Sequence, residues 1–571
     1  LLKLSSFFLL ATALSAAPTI TSGGIVNANG YQTVLAPGVV FVVFGTGLGP
    51  AALAAATAPN YPPSLAGTSI AFTRVGGGAP VAARLVYTVA TQAAGLLPSS
   101  VTPGDYSVTV TYNGETSPPQ TVTVVAKSFG IATANSAGTG PAQATIGNVN
   151  NGISLVRLTS GTTSFGGFDW PLSPAHPGDT LVLWGTGGGA DLANDTGGTS
   201  GDQTAAGNFK VNVGGKEVTP LYAGASSGYP GLWQINFVLP ADVTLDCFVT
   251  VFISANGEMS NTVTIAVAPA GQSTCTTSGL PAEALSKVDS GGALTGGGFT
   301  FVRSTATNSF VLADGTRTPT TTATVEAVQG AINRYSAAAV AELNAGIRID
   351  RCIVFQKTGF QPRIGIGIPD SQLDAGLRIP VTGPGVAANA AMDRVGVNTY
   401  SLTLPVPTFR AGTYTVAGTG GTDVAAFSRS LDLPGDFNAT NFNSITSIRR
   451  DQPLNITWTG GAPGSVQING TFWRTLSGSQ QNQATWRIQA ATFTCTVPAS
   501  QGSYTVPLAV LALLPPSGPD LTTGNFSYLA VNAVPDPQRP IFRFPLTGGG
   551  QTDFGTLHYS IGVTKNLPLL P

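Results

Sequence analysis

Along most of the chain apolar and polar residues alternate in short runs, the period expected of half-buried β-strands. Gly104-Asp-Tyr-Ser-Val-Thr-Val-Thr-Tyr112 and Gln120-Thr-Val-Thr-Val-Val125 are two such runs, and Asn113-Gly114 follows the first of them. Asn-Gly next to alternating runs is a strong hairpin signal, because both residues tolerate the positive φ of a tight turn. Two further runs are almost continuously apolar and read as buried strands. They are Pro37-Gly-Val-Val-Phe-Val-Val-Phe-Gly-Thr-Gly47 and Pro177-Gly-Asp-Thr-Leu-Val-Leu-Trp-Gly-Thr-Gly187. In each a Pro-Gly turn feeds the run and Gly-Thr-Gly stops it.

These two runs lie 177 − 37 = 140 residues apart. Gln234-Ile-Asn-Phe-Val-Leu-Pro240 matches Gln92-Ala-Ala-Gly-Leu-Leu-Pro98 at an offset of 142, and Asn256-Gly-Glu258 matches Asn113-Gly-Glu115 at 143. Anchors in one order with slowly drifting offsets mark a duplication. Turn signals every 8–12 residues or so make both copies immunoglobulin-like sandwiches, here 17–127 and 128–270. Trp184 aligns with Phe44 and is read as core, as are Trp233 and Trp458 within their alternating runs.

The quoted segments, with Ala36-Pro-Gly38, Phe44-Gly-Thr-Gly-Leu-Gly49, Tyr222-Ala-Gly-Ala225, Pro230-Gly-Leu-Trp233 and Ser260-Asn-Thr-Val-Thr-Ile265, resemble the Solibacter-type C-terminal domain family of secreted acidobacterial proteins. Its modules are similar to IPT/TIG immunoglobulin-like folds. The resemblance covers about residues 20–270 and implies export and β-sandwich modules. It implies no activity and brings no site residues with it. Residues 271–571 show a looser resemblance to a region that follows such modules. They are too long for one sandwich, and a division near Pro434-Gly435 is expected, giving 271–434 and 435–571. Tyr335-Ser-Ala-Ala-Ala-Val-Ala-Glu-Leu-Asn344 is the one good helix candidate, with Gly346 just past its end. The expected fold class is therefore all-β: tandem immunoglobulin-like sandwiches with at most one or two short helices.

Composition narrows the function. The 571 residues are 42% apolar and only 9% charged, with a net charge of −1, against roughly 25% charged in an average soluble protein. No basic stripe is present, which argues against nucleic acid as a partner. Residues 1–16 read as a secretory signal: Lys3, an apolar core from Leu4 to Leu14, and small residues at Ser15-Ala-Ala17. No later segment reads as membrane-spanning, so an exported, extracellular or cell-surface protein is expected.

Four cysteines suit two disulfides in an exported chain. Cys247 and Cys275 lie at the ends of one expected hairpin and are the favoured pair, leaving Cys352 and Cys495 in two strand-like runs. Four cysteines still permit three pairings, among which sequence does not choose.

Candidate chemistry is sparse. Gly185-Thr-Gly-Gly-Gly-Ala190 matches a dinucleotide fingerprint, but a loop follows where that mechanism needs a helix. Asp191, Asn194, Asp195 and Asp202 crowd one loop and could ligate calcium, although no EF-hand spacing is present and a solvated loop is the default. The two histidines, His176 before the second Pro-Gly turn and His558 near the C-terminus, read as surface or turn residues, and no paired carboxylates stand out on matched strands. No catalytic residue, metal or cofactor is assigned, and the protein is read as a non-enzyme. Trp473 and Trp486 flank a Ser/Gln-rich loop. If their runs pair as a hairpin, both rings share a face and could stack on a sugar; cross-strand aromatic packing is the alternative. The primary expectation is a structural or adhesive surface protein. Carbohydrate binding through Trp473 and Trp486 is the alternative, and a secreted hydrolase in the C-terminal region is a further one. Glycan, polymer or protein partners, and self-association through open strand edges, are compatible with either of the first two.

Overall fold

The computed structural model describes residues 17–571, apart from 137, 149–151, 166–167, 257, 278–279, 290–291, 313, 337–338, 341–345, 361–367, 480–481, 521 and 537–541. The expected signal segment lies outside the described residues. The chain is all-β, and its first two modules are two-sheet sandwiches of the immunoglobulin-like kind. The α-helices with described bounds are Ala282–Asp289 and Leu508–Ala512. Of the helix expected over 335–344, Tyr335 belongs to a strand and Ala339 and Val340 are helical; the remainder lies mostly outside the described residues.

The duplicated strands occupy equivalent places. Val40–Thr46 lies between Thr19–Asn27 and Gln92–Leu96, and Thr180–Thr186 pairs on one side with Ala144–Asn148 and Gly130–Ile131 and on the other with Trp233–Val238. Phe44 sits opposite Gln92 and Trp184 opposite Gln234, so the register repeats with the sequence. A second sheet closes each sandwich, led by Thr68–Arg74 and Gly104–Tyr112 in the first and by Phe209–Val213 and Asp246–Ala255 in the second. The Gly-Thr-Gly stop has a steric cause. A Cβ on Gly45 would stand 2.0 Å from the Thr19 carbonyl oxygen, and one on Gly185 would stand 2.4 Å from that of Gly130. In both copies the crossing backbone leaves room only for hydrogen.

One expectation about these strands is corrected. Phe41 and Val43 point into the first core and Leu181 and Leu183 into the second, so by alternation Phe44 and Trp184 point outward and are half-buried. Phe44 joins a small outer cluster with Val26, Val42 and Ala94. An aromatic residue in a nearly continuous apolar run does not disclose its face. Trp233 and Trp458 are buried core residues.

The sandwiches meet end to end through polar contacts. The Val40 N–H donates to Thr186 Oγ1 at 2.9 Å, and that hydroxyl donates to the Gly231 carbonyl at 2.6 Å. Asn27 Nδ2 donates to the Ser128 carbonyl at 2.8 Å. The Asp195 carboxylate accepts the Ser99 N–H at 3.0 Å and its hydroxyl at 2.7 Å.

Beyond residue 270 the architecture departs from two successive modules. One long sheet runs through both halves of the C-terminal region. Cys352–Phe360 pairs with Asn482–Pro498, and Leu294–Asn308 lies parallel to Thr556–Asn566, with Gly298 opposite Thr556. The division expected at Pro434-Gly435 therefore cuts a continuous hydrogen-bonded sheet. Two cores lie against it. One is built around Phe299, Phe301, Tyr400 and Tyr414, the other around Phe472, Phe493, Trp458 and Val531. Both disulfides are present, Cys247–Cys275 and Cys352–Cys495, the latter joining residues directly opposite each other on adjacent strands.

Candidate carbohydrate-binding face

Strands Ser465–Ser479 and Asn482–Pro498 pair along most of their length, with Trp473 opposite Ala490 and Thr475 opposite Ile488. Alternation puts Val466, Ile468 and Phe472 into the core and sends Gln467, Asn469, Thr471, Trp473 and Thr475 to the other face. On the partner strand Cys495 and Phe493 face the core, so Trp486, Thr492, Thr494 and Thr496 share the tryptophan face. Trp486 Nε1 donates to Thr475 Oγ1 at 3.0 Å, across the hairpin and on that same side. Trp473 and Trp486 thus lie on one face of one hairpin.

The neighbouring strand Phe526–Val534 extends the aromatic group. Phe526 lies opposite Trp473, and their rings stack at 4.4 Å between centroids and 27° between planes. Tyr528 meets Phe526 edge-on at 5.7 Å. Trp473 Nε1 donates to the Gly524 carbonyl at 2.8 Å, which fixes the ring. Cross-strand packing therefore holds both tryptophans, and each keeps part of its surface in solvent. Away from the aromatic end, the face carries half-buried hydroxyl and amide groups and no charge along Gln467, Asn469, Thr492, Thr494 and Thr496, with Thr471 buried among them. Asn469 Oδ1 accepts the Thr494 hydroxyl at 2.8 Å, tying the two strands together. Such a surface offers flat rings beside neutral donors and acceptors.

The other sequence candidates have structural employment. Asp191 accepts the Ser200 N–H at 2.9 Å and its hydroxyl at 2.7 Å; Asn194 Oδ1 accepts the Gly231 N–H at 2.6 Å; Asp195 holds Ser99. Asp202 accepts the Thr204 hydroxyl and the Ala223 N–H, and these bonds hold its carboxyl below the usual range. The oxygens that could have ligated calcium face hydrogen-bond donors: those of Asp195 bridge to the first sandwich, and those of Asp191, Asn194 and Asp202 hold loops of the second. No cluster of His, Cys, Asp and Glu suited to a metal occurs among the described residues. Gly185–Ala190 runs from strand end into a loop, with Gly188 against the Trp233 ring. His176 belongs to the Pro-Gly turn, its Nε2 3.0 Å from the Gln272 carbonyl. No helix among the described residues is long and apolar enough to cross a membrane.

Sequence reasoning missed a cleft of about 620 Å³ between the second sandwich and the C-terminal sheet. Asp246, Asp350, Arg429, Gln467, Phe542 and His558 line it, drawn from widely separated segments. It also missed an ion pair between adjacent strands of the same sheet, in which the fully buried Glu326 receives Arg303 Nε at 2.6 Å.

No family model and no curated protein matches the chain. Solved structures show similarity only at low levels. One is the surface glycan-binding protein SGBP-B from a complex xyloglucan utilization locus in Bacteroides uniformis, at 9% identity over 96% of this chain and 100% of that one, TM-score 0.17. Another is the mixed-linkage glucan SGBP-B of Bacteroides ovatus in complex with a heptasaccharide, at 10% identity over 84% and 98%, TM-score 0.12. A third is immunoglobulin domains 1–4 of Sidekick-1, at 10% identity over 97% and 99%, TM-score 0.12. At such scores these likenesses carry no inference about a ligand.

Proposed function

We propose that the chain is an extracellular, non-enzymatic carbohydrate-binding protein, in which stacked sandwiches carry a glycan-binding face on the C-terminal sheet. The observation that carries this reading is the convergence of Trp473, Trp486, Phe526 and Tyr528 at one end of an uncharged strip of amides and hydroxyls. Sugars offer apolar C–H faces and rings of hydroxyls. Aromatic side chains cover the first and fixed neutral polar groups bond the second, while water is displaced from both. The tryptophans are pre-positioned by their neighbours, which lowers the ordering cost on binding. The two disulfides and the hydroxyl-rich surface suit an oxidising, extracellular setting. This reading prefers glycan binding to a purely structural role, because a scaffold face has no need of four clustered aromatic rings left partly in water.

The test is isothermal titration with a panel of soluble oligosaccharides derived from cellulose, xylan, mannan, starch and pectin. One or more should bind, and Trp473→Ala with Trp486→Ala should weaken it at least tenfold, about 1.4 kcal/mol. Binding unaltered by the double substitution would refute this location.

A further inference from the structure

The tryptophan face does not end at its aromatic group. Along Ser465–Ser479 the same side carries Trp473, Asn469 and Gln467, with Thr471 buried between the first two, a run of roughly 20 Å at about 3.3 Å per residue. Gln467 then enters the cleft between the second sandwich and the sheet. Its wall on the sandwich side includes Gly214, Thr244 and Val249; its wall on the sheet side includes Thr494 and Thr496, from the same uncharged strip. The volume, about 620 Å³, lies within the ordinary range for ligand sites.

The cleft pairs an aromatic ring with polar groups, as the open face does, but adds charged side chains to them. Phe542 provides a ring, held edge-on by Phe544 at 4.9 Å and 71°. The Arg429 guanidinium stands 5.1 Å from the centre of that ring. Arg429 and Arg351 both line the cleft, and the arginine ion pairs among the described residues involve other arginines. Three carboxylates line the cleft, Asp246, Asp350 and Asp536, and each has a partner. Asp350 accepts the Tyr504 hydroxyl at 2.7 Å, and Asp246 accepts the Phe248 N–H at 2.8 Å and the Thr277 hydroxyl at 3.2 Å. The cleft therefore presents guanidinium and amide donors beside an aromatic ring, which suits a ligand rich in acceptor oxygens.

We propose that this cleft is a second subsite for the same glycan, so that the protein holds the interior of a long linear polysaccharide. One stretch of the chain lies on the Trp473–Trp486 platform and another between the second sandwich and the sheet. The inference rests on the glycan reading above and adds ligand length and the second sandwich to it. Short oligosaccharides fill the platform alone; longer ones reach the cleft and gain affinity through linkage of the two subsites.

The experiment titrates the full chain with a series from di- to octasaccharide of the glycan that binds best in the panel. Thr244→Trp fills the cleft from an exposed loop position, and Arg429→Ala removes a donor that hydrogen-bonds the adjacent Ser428 carbonyl. Both variants should lose about tenfold in affinity for the longest oligosaccharides and nothing for the shortest, whereas Trp473→Ala with Trp486→Ala should weaken both. Long-chain affinity within about twofold of the parent in both cleft variants would overturn the second subsite and leave the platform standing. Failure of the parent protein to bind any member of the panel would overturn both.

Discussion

Removing the carboxylate of Glu326 should destabilise the C-terminal unit more than any single surface change. Glu326 is fully buried; Oε1 receives Arg303 Nε at 2.6 Å, and Oε2 receives the N–H groups of Thr408 and Phe409 at 2.6 and 2.9 Å. Arg303 also donates to the Phe409 carbonyl. These bonds clamp the loop that seats Phe409 against Phe301 and Tyr414, at 5.8 and 5.6 Å. Glu326→Ala leaves a guanidinium and two N–H groups without their acceptor. Breaking a buried pair from one side costs about 3–5 kcal/mol. Arg303 retains 24% exposure, so water recovers part of the loss and the lower end, about 3 kcal/mol, is expected. Glu326→Gln keeps the shape but turns an NH2 group toward one set of donors, and should cost at least half as much. Arg303→Met combined with Glu326→Leu leaves no charge unpaired and should cost less than Glu326→Ala alone. Differential scanning calorimetry of the full chain reads this as a drop of roughly 6–12 °C in one transition, taking about 2–4 °C per kcal/mol. A Glu326→Ala transition within a degree of the parent, or a double variant worse than Glu326→Ala, would refute the reasoning.

Three further outcomes follow from other parts of the structure. Asp195→Ala removes two hydrogen bonds to Ser99 across the sandwich junction, about 1.5–3 kcal/mol for a bond to a charged group; small-angle scattering should show a broader distribution of sizes, and an unchanged profile would count against a junction fixed by polar contacts. Replacing Cys352 and Cys495 by Ser opens a loop with a separation of 143 residues and should cost up to about 5 kcal/mol, against about 3.6 for Cys247 and Cys275 at 28 residues; equal losses by calorimetry would contradict the loop-length account. The Gly376 N–H, followed by the Thr422 N–H and hydroxyl and the Arg394 charge, holds the Asp374 carboxyl below its ordinary value. A depressed folded-state value stabilises the fold above the unfolded value, about 3.9, and that contribution disappears as pH falls through the folded value. The stability difference between the parent and Asp374→Asn, followed by denaturant unfolding, should be full near neutrality and shrink below about pH 4; a difference independent of pH would contradict it.

The sequence was most legible where its signals are local. The copied strand with its Gly-Thr-Gly stop, the Asn113-Gly114 turn and the Trp473–Trp486 hairpin can all be read from alternation and turn residues. In the turn, φ is +50° at Asn113 and +91° at Gly114, as a tight hairpin needs. The pairing of Cys247 with Cys275 followed from the same hairpin logic. The interleaved C-terminal sheet was not legible. Leu294–Asn308 lies parallel to Thr556–Asn566, and parallel neighbours share no turn that could announce them. The outward direction of Trp184 was hidden because Leu, Val and Trp follow one another without a polar residue to mark a face. The cleft was hidden for a related reason. Gln467, Arg429 and Phe542 come from separate segments of the C-terminal unit, and Thr244 joins them only where the second sandwich meets the sheet.

Equilibrium dialysis of defined oligosaccharides, with chromatography of both chambers, tests the central claim in one measurement, since it reads retention and cleavage together. The account predicts that at least one oligosaccharide accumulates on the protein side, is recovered at its original length, and loses that retention when Trp473 and Trp486 are both alanine. Even distribution of every oligosaccharide across the membrane, or recovery of shortened products, would contradict it.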